Sequence, residues 1–504
     1  MKILITTILI QILFFFNIYG STLNLSISSS PSRLNPILAA DSTSSEITQW
    51  LFNGLLKYDK DGNITTDLAK SYQFKSDTKL IFKLKKGVKW HDGVEFTADD
   101  VIFTYNTIMD KNIFTSLKSN FKEVESVKKI DDYTILINYK RAYFKALIVW
   151  MVDIIPKHLL ENEKNLMSSF FDRKPIGTGP YKIDHFKTGE DIILYANENY
   201  FDGKPKIDKI HYKFIPDTNT SFLMLKQKQL DIGSLSPLQI DRQINKTFKE
   251  DFRIIERASF SYDYLGFNLR NKKFQDPKVR EALSLGIDRK ELVDILFFGH
   301  GKVCNGPFLP GSFAYNDKIK PIKQNLKKAK ELLKEAGYDQ NNPFTFEIVT
   351  STGGDTRINA AQIIQYQLSK IGVKVDIRVM EWQAFLNTVV FPRNFETVLL
   401  GWSLSLMPDA YPLWHSKSDR VGGFNLVGYH NKEVDKLIEK GSTTVDINKL
   451  SKIYKKLFAL ISKDNPYLFL YTPNSISVVD KRIKNVKPAF IGITHNQKDW
   501  IKPD

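Results

Sequence analysis

Residues 344–380 carry a pattern that few folds accept. An apolar run at 344–350 leads into a helical stretch from Arg357 to Ile371, which Gly372 stops, and a second apolar run follows at 373–380. Strand, helix and strand at this spacing make one βαβ unit, with parallel strands and a right-handed crossover. A parallel sheet is covered by helices on its faces, so this part of the chain is expected to be layered α/β. The flanking sequence agrees. Asp276-Pro277 sets a capping acid before a proline suited to a first helical position, and Asp288 opens another helix that stops near Gly299. Leu326, Ala329, Leu332, Leu333 and Ala336 recur at helical spacing. A further strand at 397–401 ends at Trp402-Ser403, in a loop rich in Trp, Pro and Asp. Ligands of open α/β sheets sit beyond the carboxyl ends of strands, which makes this loop a candidate site. Helices at 432–440 and 447–462 follow, and the apolar stretches 467–471 and 475–479 read as two strands returning to the first half.

The first half is organised differently. From Leu80 to Trp90 apolar residues alternate with lysines, the mark of a half-buried strand, before a turn at His91-Asp92-Gly93. Thr97 is placed to cap a helix, with Asp100 reaching back in a capping box. Another strand at 133–139 leads to Ile176-Gly177-Thr178-Gly179-Pro180-Tyr181. The two glycines suggest backbone angles that other residues avoid, hence a hinge or tight turn. It is not a phosphate loop: the Gly-Lys-Ser/Thr ending is missing and Pro180 removes an amide donor.

The start of the chain points to export. Lys2 precedes an apolar run from Ile3 to Ile18, with small residues Gly20 and Ser21 after it, the layout of a secretory signal peptide spanning 1–20. An uncleaved anchor is the competing reading, because the run is long for a signal core. No cysteine stands near the leader to carry a lipid, so the mature chain is expected to diffuse freely in a periplasm. Cys304 is the single cysteine in 504 residues, so no intramolecular disulfide supports the fold. Lysine and arginine outnumber acids by 72 to 56. They are scattered among acids with no long basic tail, which argues for a solvated basic surface and against a nucleic-acid partner.

Enzyme signatures are missing: neither HExxH, GxSxG, CxxC nor a phosphate-binding Walker loop occurs, and nothing calls for a catalytic residue or a cofactor. The eight histidines are dispersed, with no local metal motif. His415, beside Trp414, is the one suited to contact a ligand. Tyr262, Tyr264, Trp382, Trp402, Tyr411, Trp414 and Tyr429 fall near strand ends or loops where large amphipathic rings could line a cleft, or simply pack in the core.

A long segment then becomes informative. Asp67-Leu68-Ala69-Lys70-Ser71-Tyr72, followed by Phe82 to Val101 with Trp90-His91-Asp92-Gly93 at its centre, resembles the signature of family 5 extracellular solute-binding proteins. Gly177-Thr178-Gly179-Pro180-Tyr181, Phe267-Asn268, the stretch from Asp276 to Leu283, Ile287-Asp288-Arg289 and Gly401-Trp402 fall in the same order as that family's landmarks. The resemblance implies a two-lobed, class II periplasmic-binding-protein-like α/β fold with an extra subdomain inserted in the first lobe. It places lobe I at 21–58, 172–266 and 471–504, the insert at 59–171 and lobe II at 267–470. It implies a monomer that captures a peptide or other small molecule between its lobes and delivers it to an inner-membrane ABC permease. By the same resemblance Gly401, Trp402 and Ser403 contact ligand, with Tyr264 and Asn425 as further candidates beside Trp414 and His415. In peptide receptors of the family an acid three residues after the Trp takes the ligand's ammonium group. Here that position is Ser405, an arginine position two residues before the Gly is Leu399, and Asp409 is the candidate replacement acid. A nickel or metallophore receptor using His415, with His495, is the alternative within the family, and a secreted hydrolase the alternative outside it.

Overall fold

In the computed structural model, which describes residues 20–503 apart from 40, 353, 354 and 421, the βαβ unit forms as its sequence requires. Thr345–Ser351 pairs in parallel with Lys374–Met380, and the helix Asp355–Ser369 connects them, burying Ala360, Ala361, Ile364 and Leu368. On its other edge the first of these strands runs parallel to Thr397–Ser403. That strand lies antiparallel to Ser261–Phe267, which lies antiparallel to the start of Tyr467–Asp480. The result is one eight-stranded sheet, extended by Ile232–Ser234, Phe252–Ala258 and Gly301–Val303 along the last strand. The expected leader lies outside the described residues except for Gly20.

Tyr467–Asp480 is a single strand of 14 residues, where the sequence suggests two. Pro473 reads as a break, yet it sits where the strand changes partners. Residues 467–471 pair with Ser261–Phe267 and residues 474–480 with Phe252–Ala258. A missing amide donor is tolerated at such a switch, and the Pro473 carbonyl still accepts from the Ser259 amide at 3.0 Å. The chain therefore passes twice between the two ends of this sheet, at 258–261 and at 472–474.

Three smaller sheets complete the first half. Thr22–Ile27 pairs in parallel with Lys209–Phe214, followed by Asp191–Ala196 and Tyr181–Lys187. Ala69–Ser76, Lys79–Leu84, Thr134–Tyr139 and Val124–Asp131 form an antiparallel four-stranded sheet, and Leu56–Tyr58 pairs with Ile64–Thr66. The strand expected to reach Trp90 ends at Leu84, because Gly87 takes φ +72° and turns the chain. Residues 88–96 fold back on themselves through Trp90 N to Val94 O and Phe96 N to Val88 O, both 2.8 Å.

Helix starts follow local chemistry. Thr97 and Asp100 form the capping box, and Asp276 and Asp288 accept hydrogen bonds from the first-turn amides of their helices.

The Gly177-Thr178-Gly179 segment does not use left-handed backbone, since neither glycine has a positive φ. The glycines are required by contact. A Cβ on Gly177 would stand 1.7 Å from the Leu51 carbonyl oxygen, and one on Gly179 would stand 2.4 Å from the Leu51 carbonyl carbon. The loop is fastened to the end of the helix Ser42–Leu51 through Gly179 N to Leu51 O, at 2.8 Å. His91 joins it: Nδ1 accepts from Gly177 N and Nε2 donates to Gly179 O, each at 3.1 Å. The bond from Gly177 N needs a neutral imidazole, and burial lowers the His91 pKa to about 4. Thr178 donates to Asn53, which donates to Asp67 and Tyr200. The most recognisable motifs of the sequence thus form a buried polar knot within the first half.

Candidate ligand-binding site

At the end of Thr397–Ser403, Gly401 lies across an ion pair. Arg357 grips Asp263 with Nε at 3.0 Å and Nη2 at 3.1 Å, and a Cβ on Gly401 would fall 2.1 Å from that carboxylate. A side chain here would displace the pair, so the backbone approach demands glycine. Trp402 is half-buried, with Phe424 edge-on at 6.0 Å. Behind it Tyr264, fully buried, is stacked parallel to the indole at 6.3 Å and on Tyr467 at 3.9 Å. Ser403 beyond it is exposed. The strand end therefore presents one indole and one hydroxyl on a rigid aromatic stack.

Two sizeable cavities bear on the site, one lined by both halves and one lined by the first half and the carboxyl-terminal segment. The first, 350 Å³, lies between the early hairpin and the second half, lined by Tyr58, Tyr72, Phe144, Phe313 and Met407 among others. The second, 550 Å³, is polar. Ser28, Ser42, Thr43, Ser234, Ser477 and Thr494 bring hydroxyls to it, Trp50, Tyr212 and Trp500 form apolar wall, and Glu46 and Arg257 are its charges. A 290 Å³ space shares Arg257 and Gly492 with the polar cavity and Phe490 with the apolar one. Phe490 stands on a turn closed by reciprocal Ala489–Gly492 backbone bonds, packs edge-on against Phe260 at 5.4 Å, and lies against Gly62 and Gly311. One ring from the carboxyl-terminal segment thus touches both halves.

The halves are also joined directly. Lys145 Nζ meets Asp409 Oδ2 at 2.7 Å, and Phe144 N donates to Ser442 O at 3.1 Å. Asp409 is consequently engaged and does not stand free as a replacement acid.

Of the eight residues singled out from sequence, Gly401, Trp402, Ser403 and Asp409 fall along this boundary, and Tyr264 backs Trp402. The other three lie in the interior. Trp414 is fully buried against Tyr467 and Tyr429. Asn425 is equally buried; its amide donates to the His415 and Tyr429 carbonyls and its oxygen accepts from Tyr429 N. His415, 2% exposed, accepts from Lys417 N at Nδ1 and bonds Glu439 through Nε2. Every polar group that Asn425 and His415 could offer a ligand is already used, so they fix the loop that follows Trp402. Among the described residues no cluster of three or more His, Cys, Asp or Glu side chains is arranged to hold a metal ion. Glu46, Arg257 and Phe490 were not anticipated, and nothing in their local sequence sets them apart.

Comparison with known proteins accounts for this architecture. Residues 63–424 match the family model described as bacterial extracellular solute-binding proteins, family 5 Middle. The chain belongs to this family of extracellular solute-binding proteins. It is 35% identical over 479 residues to the oligopeptide-binding protein AppA of Bacillus subtilis (strain 168), covering 91% of this chain and 87% of the relative. The structure of Bacillus subtilis AppA with a nonapeptide superposes with a TM-score of 0.77 at 33% identity, over 96% of this chain and 99% of that one. The substrate-binding protein CtaP of Listeria monocytogenes superposes with a TM-score of 0.87 at 28% identity, over 96% and 100%. NikZ of Campylobacter jejuni, in complex with Ni(L-His), gives 0.78 at 30% identity, over 95% and 99%. The fold is thus the two-lobed α/β fold of family 5 binding proteins. The family match ends before Phe490 and begins after Glu46, so these side chains, which line different cavities, lie outside it. No helix among the described residues is long and apolar enough to cross a membrane.

Proposed function

We propose that this chain is the peptide-capturing receptor of an ABC importer, acting in the periplasm after its leader is removed and handing ligand to an inner-membrane permease as a monomer. The observation that carries the reading is the 350 Å³ cavity between the halves, of the size of small-ligand sites and walled by Tyr58, Tyr72 and Phe144 from the first and by Phe313, Met407 and Leu450 from the second. The 35% identity to an oligopeptide-binding protein gives the ligand class. The crossings at 258–261 and 472–474 support a hinge between lobe I, with its insert at 59–171, and lobe II. Closure brings Trp402 and Ser403 onto the ligand, Tyr264 holds the indole in place, and the Lys145–Asp409 pair latches the lobes. The chemistry is binding and release, with no covalent step.

A metal-complex receptor is the reading that NikZ suggests. The engagement of both His415 nitrogens counts against it here. Native mass spectrometry of protein incubated with a random-sequence peptide pool tests the proposal. Adducts at peptide masses, released intact on denaturation, support it. Cleaved peptides, or no adduct with any pool while nickel–histidine binds, overturn it.

A further inference from the structure

The 550 Å³ cavity holds two opposite charges that do not neutralise each other. Among its lining residues Glu46 and Arg257 are the only ones with carboxylate, ammonium or guanidinium groups, and among the described residues neither forms an ion pair. Other acids nearby are already engaged. Asp41 accepts from Ser32, Thr43 and Ser44 at the start of the helix Ser42–Leu51. Asp231 is held by Lys502, and Glu256 by His300 and Asn474.

Glu46 is positioned by a relay of neutral donors. Trp50 Nε1 donates to the Tyr212 hydroxyl at 2.9 Å, and that hydroxyl donates to Glu46. Burial raises the carboxyl's pKa, and the Tyr212 bond opposes the rise in part. Arg257 spends one bond on the Ala258 carbonyl, at 3.3 Å, and rests on the Phe260 ring, its centre 5.1 Å from the ring centroid. Burial alone lowers its pKa, with no acid to offset it. A half-buried cation and a half-buried anion facing one space each carry a desolvation cost that a counter-charge would remove.

We propose that this cavity takes a zwitterionic ligand, a short peptide with free ends, whose ammonium group is received by Glu46 and whose carboxylate is received by Arg257. The assignment rests on the peptide-receptor reading and adds to it which chemical groups of the ligand are read, and by which side chains. The serine and threonine hydroxyls that line the same cavity are suited to the peptide backbone, which needs donors and acceptors without regard to side chain. A cavity of 550 Å³ lies within the range of about 300–1,000 Å³ common to small-ligand sites.

Four pools of random tri- to pentapeptides test this: unmodified, N-acetylated, C-amidated and blocked at both ends. Trp50 and Trp500 line the cavity, so binding is followed by tryptophan fluorescence, with native mass spectrometry as the second readout. The wild-type protein is expected to lose at least tenfold in apparent affinity on either acetylation or amidation. Glu46→Gln is expected to bind acetylated and unmodified pools alike while still discriminating against amidation, and Arg257→Met the converse. Equal binding of all four pools by the wild type overturns the assignment and leaves the peptide reading standing. Discrimination that survives unchanged in both variants also overturns the assignment. Failure of every pool to bind overturns the peptide reading and this assignment with it. The wild-type arms need no substitution, so a variant that folds poorly does not decide the outcome.

Discussion

Asp409→Asn isolates the charge of the latch. The substitution keeps the local turn, because the Tyr411 amide donates to Oδ1 at 3.0 Å and an asparagine oxygen accepts that bond as well. What is lost is the attraction to Lys145, 2.7 Å away, from a pair whose side chains are 19% and 30% exposed. Fully exposed pairs contribute about 0.2–1 kcal/mol, and removing one partner of a fully buried pair costs about 3–5 kcal/mol. With water reaching both groups, and Lys145 also resting 5.3 Å from the centroid of the Phe144 ring, the cost belongs near the lower range, about 1 kcal/mol. On the proposal that this pair latches the lobes, that energy is lost from the closed form. It appears as roughly a fivefold weaker apparent affinity for peptide. Calorimetric titration of wild type and variant, at low and high salt, reads it directly. The wild type should weaken with salt toward the variant's value, while the variant changes little. Equal affinities at low salt, with equal melting temperatures, would refute the claim that this pair stabilises closure.

The His91 imidazole makes stability depend on pH. It protonates near pH 6.5 when unfolded and near 4 when folded, so the unfolded chain takes up the proton first as pH falls. Stability is full above pH 6.5 and declines down to 4, by about 3 kcal/mol. Urea unfolding at pH 7.5, 5.5 and 4.5 should show this slope in the wild type and lose its share in His91→Gln; parallel curves would contradict it. Gly177→Ala forces a Cβ to 1.7 Å from the Leu51 carbonyl, and a thermal scan should show either a large drop in melting temperature or no folded protein. Burial pushes the Cys304 thiol up to about 11, so a thiol reagent at pH 8 should modify it only after denaturant is added.

Local chemistry made much of the fold legible. Asp276-Pro277, Asp288 and the Thr97–Asp100 box bound their helices as read, because a cap depends on residues within one turn. The βαβ unit at 344–380 was equally plain from its periodicity. The Gly177-Thr178-Gly179 punctuation was visible but its cause was not: the constraint is the approach of the helix ending at Leu51, more than a hundred residues away in sequence. Pro473 suggested a break because no local rule reveals that a strand changes partners at that point. The site divided the same way. Gly401 and Trp402 carry a recognisable motif at a strand end, whereas Glu46, Arg257 and Phe490 come from three separate segments and acquire meaning only where topology joins them. His415 and Asn425 show the converse: residues close in sequence to a strand end whose polar groups are already bonded within the second half.

Small-angle scattering of the protein with and without a peptide pool tests capture between two lobes most directly. Lobe closure on capture gives a smaller radius of gyration with peptide, returning to its starting value once the peptide is removed. An identical scattering profile in both conditions, from samples in which native mass spectrometry shows the peptide bound, would contradict it.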